Sequence, residues 1–90
     1  MDSELRLRRD GVAWKDVETG ILALDERSAV YLAGNPAAAV LWRTLALGAT
    51  HGELVSELVA AFAIDSGRAA TDVDAFLTEL VERGLLAAGA

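Results

Sequence analysis

The chain has one histidine, His51, and no cysteine, so neither a disulfide nor a cysteine-based metal site can form. His51 falls in the first turn of an expected helix, where a cation is slightly disfavoured, and no second histidine can complete a metal site with it. It reads as an exposed surface residue. The serines Ser3, Ser28, Ser56 and Ser66 lie outside any nucleophile motif, and a Ser–His pair would depend on the same lone histidine. The glycines spell neither a phosphate loop nor a dinucleotide fingerprint. Asp72 and Asp74 would point about 200° apart on a helix, so their carboxylates do not converge. The residue types give catalysis no foothold, and neither a cofactor nor a metal is expected.

What remains is an interaction domain. At 90 residues the chain is a single small domain, and 53% hydrophobic residues are ample for a core. Its net charge is −6. After Thr50 the carboxylates Glu53, Glu57, Asp65, Asp72, Asp74, Glu79 and Glu82 face only Arg68 and Arg83, which disfavours nucleic acid as a partner. Arg6, Arg8 and Arg9 alternate with Leu5 and Leu7 and read as a polar strand face rather than an anion site. No apolar run approaches the ~20 residues that span a bilayer, so a membrane is not an expected partner. Met1-Asp2-Ser3-Glu4 shows no secretory signal, and a cytoplasmic protein is expected.

The hydrophobic period changes at Asn35-Pro36. Before it lie Leu5 to Arg8 (a short edge strand or an ordered arm) and three strand candidates, Val12 to Val17, Ile21 to Leu24 and Ala29 to Ala33. Short connections predict an antiparallel meander with the last of these at one edge. Asn35 is a good N-cap and Pro36 suits the first helical position, predicting a helix to about Leu47 with Val40, Leu41 and Leu45 on one side and Trp42 flanking. Thr50 and Glu53 have capping-box spacing ahead of the stripe Leu54, Val55, Leu58, Val59 and Phe62. A third helix, capped by Asp65 or Ser66, runs to about Arg83, with Ala69, Val73, Phe76, Leu77, Leu80 and Val81 as its buried stripe. Gly84 stops it, and Leu85-Leu86 can fold back onto the core. Three strands followed by three helices predict an α+β domain.

Ala29 to Ala33 has no Lys, Pro or inward charge to blunt a sheet edge, and such an edge invites a partner strand. Trp42 reads as core. Trp14 fits core or surface, and Tyr31 fits core filler or contact. The edge is completed by a guest peptide, by the N-terminal arm or by a second copy, and composition does not choose among these.

Leu24-Asp25-Glu26-Arg27, Tyr31 and Asn35-Pro36-Ala37-Ala38-Ala39-Val40-Leu41-Trp42 resemble the PqqD-like family. Gly48-Ala49-Thr50, Asp72-Val73, Phe76-Leu77, Leu80 and Gly84-Leu85-Leu86 continue the resemblance. It covers nearly all of the chain from Gly11 onward and separates residues 1–10, an arm or short edge strand, from residues 11–90, the family domain. The family comprises the RiPP recognition elements, and a free-standing copy is most similar to the leader-binding proteins of lasso-peptide pathways. The resemblance implies a three-stranded sheet and three helices in a winged helix-turn-helix-like arrangement. It implies a non-catalytic adaptor that binds a precursor's leader as a strand and works beside a separate cysteine protease and a cyclase. Carried onto this chain, the peptide-binding positions are Val30, Tyr31, Leu32 and Ala33 on the third strand. On the third helix they are Ala69, Asp72, Val73, Phe76, Glu79 and Leu80. Gly34 departs from relatives, which commonly carry leucine there. The rival readings are a winged-helix DNA-binding regulator, disfavoured by the acidic third helix, and a self-pairing dimerisation module.

Overall fold

A computed structural model of the chain describes residues 4–87. Strands β1 (Arg6–Leu7), β2 (Val12–Val17), β3 (Gly20–Asp25) and β4 (Val30–Gly34) precede helices α1 (Pro36–Leu47), α2 (His51–Phe62) and α3 (Ser66–Glu82), and a short β5 (Leu86–Ala87) follows. β2, β3 and β4 form the antiparallel meander with β3 in the centre. β1 pairs with β5 in a separate two-stranded ribbon, so the two ends of the described chain meet. The fold is α+β, as the order of periods predicts.

The helix boundaries follow local chemistry. Asn35 accepts from the Ala38 N–H at 2.9 Å, with Pro36 next to it in the first turn. Thr50 and Glu53 make a reciprocal capping box. Asp65 accepts from Gly67 and Arg68 at the start of α3. At the other end of α3, Gly84 takes φ +68, its N–H bonds Val81 O, and the Leu85 N–H bonds Leu80 O. This is the Schellman pattern, and it drops Leu85 into the core beside Leu80.

Two boundaries differ from expectation. Ala29 adopts φ +56 in the turn between β3 and β4, so the strand begins at Val30 and extends to Gly34. Gly20 belongs to β3: at φ +144 it lies so close to the neighbouring strand that a Cβ would stand 2.0 Å from Gly34 O. The helix stripes are also narrower than the apolar pattern. Val81 is 61% exposed because it stands about 100° round α3 from the buried Leu80, and Phe62, the last residue of α2, is 39% exposed.

The helices cover one face of the sheet. α1 lies on β3, and α2 packs between α1 and α3. Leu41, Leu45, Leu54, Leu58, Val73 and Leu85 are fully buried there, each burial contributing roughly 1.5–3 kcal/mol. Ile21, Ala23 and Asp25 of β3 point into this core while Leu22 and Leu24 stay half-buried on the opposite face.

Candidate functional site: a cleft between β4 and α3

Strand alternation and the register sort β4 into two faces. Opposite Asp25, Ala23 and Ile21 stand Val30, Leu32 and Gly34, on the helix side. Opposite Leu24 and Leu22 stand Tyr31 and Ala33, on the far side. The outer edge of β4 pairs with no other strand among the described residues. Its backbone groups on that side are free to accept another strand.

Beside this edge runs a cleft. Leu32, Ala33 and Gly34 form one wall, and Phe76, Glu79, Leu80 and Arg83 form the other. The floor is Ile21 and Ala23 of β3 with Ala38 and Trp42 of α1. The cleft holds about 70 Å³, roughly half of the ~150 Å³ that accommodates a benzene ring. That suits a proline or a small aliphatic side chain. Trp42 is 2% exposed, and its Nε1–H is the one buried side-chain donor without a partner among the described residues. Trp14 packs edge-on against it at 6.3 Å, itself 40% exposed.

A second, more polar compartment of about 250 Å³ continues the cleft at the Val30 end, lined by Asp25, Ser28, Val30, Leu32, Arg83 and Leu85. Leu32 and Arg83 belong to both compartments. Burial pushes the Asp25 carboxyl up. Ser28, the Arg27 N–H and the Arg8 guanidinium outweigh this and hold it below its ordinary value. Arg8 donates to Asp25 Oδ1 at 2.7 Å and to Gly84 O at 2.9 Å. Arg8 is therefore more than one residue of a solvated strand face. Arg83 donates through Nε to Glu79 Oε1 at 3.2 Å across one turn of α3.

The structure places the sequence-derived positions unequally. Leu32, Ala33, Phe76, Glu79 and Leu80 line the cleft, and Val30 lines the polar compartment. Tyr31, 67% exposed, stands on the far face of the sheet. Ala69 and Val73 are fully buried in the core and line no part of the cleft, and Asp72 is exposed outside the cleft lining. Arg83, Trp42, Gly34 and Ala38 were absent from the sequence-derived set. For Arg83 the signal existed: Phe76, Glu79, Leu80 and Arg83 follow the i, i+3, i+4, i+7 spacing of one helix face. For Gly34 and Ala38 only packing reveals the role, since a Cβ on Gly34 would lie 2.8 Å from Ala38 Cβ.

Elsewhere, His51 Nε2 lies 2.7 Å from Asp74 Oδ1, joining α2 to α3. No cluster of three His, Cys, Asp or Glu residues fit for a metal occurs among the described residues, and no described helix is long and apolar enough to cross a membrane.

Fold and cleft together define a small α+β domain with an open strand edge beside a helix-walled groove. Residues 20–86, well over half of the chain, match the family described as coenzyme PQQ synthesis protein D (PqqD), and the chain belongs to that family. Two solved structures share its fold. One is described as TbiB1 in complex with the TbiA(beta) leader peptide, 21% identical, covering 94% of this chain and 98% of that one at a TM-score of 0.82. The other is described as lasso peptide synthetase B1 complexed with the leader peptide, 26% identical, covering 92% and 96% at a TM-score of 0.79. No curated protein matches the chain.

Proposed function

We propose that this protein is a non-catalytic, cytosolic adaptor that binds the leader segment of a ribosomally made precursor peptide of the lasso-peptide type. The leader adds as a strand to the free edge of β4. Alternate side chains enter the β4–α3 cleft, and those between them stand beside Tyr31 and Ala33 on the far face. The observation that carries this reading is the open β4 edge beside a groove walled by Leu32 and Phe76, in a fold shared with two proteins solved with leader peptides. Backbone hydrogen bonds along the edge supply affinity, and the cleft supplies selectivity.

The adaptor then delivers the bound precursor to a separate cysteine protease. Tethering raises the local concentration of the scissile bond near that enzyme without any new chemistry. Calorimetric titration of the purified protein with a synthetic leader segment tests the reading. Saturable binding at micromolar concentration supports it, and a flat titration overturns it. A precursor cleavage assay with and without the adaptor tests delivery.

A further inference from the structure

The two compartments along β4 differ in chemistry, and one residue stands in the wall of both. The inner compartment is apolar apart from its α3 rim. The one at the Val30 end is walled by Val30, Leu32 and Leu85 and carries Asp25, Ser28 and Arg83. Asp25 is already engaged there, accepting from Arg8 and from the Arg27 N–H through Oδ1. Arg83 is not. Only its Nε is paired, with Glu79 in a half-exposed contact, and its two Nη groups have no partner among the described residues. A guanidinium carries five donors in a planar fork that matches a carboxylate.

We propose that Arg83 is a specificity residue of this groove and takes the side-chain carboxylate of an Asp or Glu in the guest strand. The inference rests on strand addition at β4. Val30, Leu32 and Gly34 lie on one face at intervals of two residues. A strand paired alongside carries its own same-face side chains at the same interval, roughly 6.6–6.8 Å apart. The guest's acid therefore stands two residues from the small apolar side chain that fills the inner compartment. A guest Lys or Arg at that position would face the Arg83 charge while the Asp25 carboxylate is occupied by Arg8. In a chain of net charge −6, this corner is where an acidic peptide side chain finds an available cation.

Glu79 competes for the same guanidinium, so it sets the threshold. The guest carboxylate must displace or share the Glu79 contact, and removing that carboxylate strengthens the preference.

The test is panning a random twelve-residue peptide display library against the full chain and against Arg83→Glu, Arg83→Lys and Glu79→Gln, each checked for folding by circular dichroism. On the unmodified protein we expect enrichment of Asp or Glu two positions from a proline or small aliphatic residue. Arg83→Lys retains the acid, Arg83→Glu exchanges it for Lys or Arg, and Glu79→Gln sharpens it. In a selected peptide, Asp→Ala should weaken binding to the unmodified protein roughly two- to fivefold and leave binding to a further variant, Arg83→Gln, likewise checked for folding, unchanged. Peptides that share the apolar residue but show no acid, or an acid preference that survives Arg83→Glu, would overturn the role of Arg83 while leaving strand addition intact. Failure to enrich any peptide, with the proteins folded, would overturn both.

Discussion

Arg8 and Asp25 are joined by a 2.7 Å ion pair that links the segment after β1 to the end of β3, and the same guanidinium reaches Gly84 O just beyond α3. One side chain thus ties three parts of the chain at the end of the β4–α3 groove. Arg8→Ala leaves the Asp25 carboxylate and the Gly84 carbonyl without this donor. It should lower Tm by roughly 5 °C, measured by thermal circular dichroism. An unchanged Tm would show that water replaces the guanidinium at no cost.

The pH dependence follows from the same carboxyl. Because Asp25 is held below its ordinary value in the folded protein, its contribution is fully present above the unfolded value of about 3.9. That contribution is lost as pH falls through the folded value. Asp25→Asn should flatten part of the acid limb in a Tm series between about pH 2 and pH 6. Parallel limbs for the two proteins would contradict this.

Gly34 lines the cleft and is also closely packed: a Cβ there would lie 2.8 Å from Ala38 Cβ and 3.0 Å from Ile21 Cγ2. Gly34→Ala should cost about 1–3 kcal/mol through overpacking, and Gly34→Leu more, by urea unfolding. Both should weaken leader binding, because pushing Ala38 away from β4 distorts the cleft floor.

Phe76 and Val81 lie on different faces of α3, the first in the cleft and the second 61% exposed beyond it. Phe76→Glu should reduce affinity for the leader segment by about tenfold or more, since it replaces the aromatic surface of the wall with a charge one turn from the like-charged Glu79. Val81→Ala should leave affinity unchanged. Equal effects in calorimetric titrations would place the leader elsewhere.

Trp42 carries a buried N–H with no partner. An unsatisfied buried donor costs about 1–3 kcal/mol, which partly offsets the indole's packing. Trp42→Phe should therefore destabilise by only about 1–2 kcal/mol, whereas Trp42→Ala should cost about 3–5 kcal/mol. Urea melts of the two variants check the contrast.

Period and punctuation in the sequence were enough for the order of the three meander strands and the three helices, though not for the short β5 that pairs with β1. Asn35-Pro36, the Thr50–Glu53 box, Asp65 and Gly84 set helix ends because caps are local hydrogen-bond chemistry acting over three or four residues. The meander was legible for the same reason, since short connections leave antiparallel pairing as the available solution. Tertiary structure decided which apolar residues are buried: Ala69, Val73 and Leu80 of the α3 stripe are closed off, while Phe76 and Leu77 stay half-buried and Val81 is exposed. It also turned Tyr31 to the far face through the register with Leu24, and brought Arg83 beside Val30 and Leu32. Each of these depends on contacts between segments distant in the chain, and no local pattern encodes how one packed surface shields another.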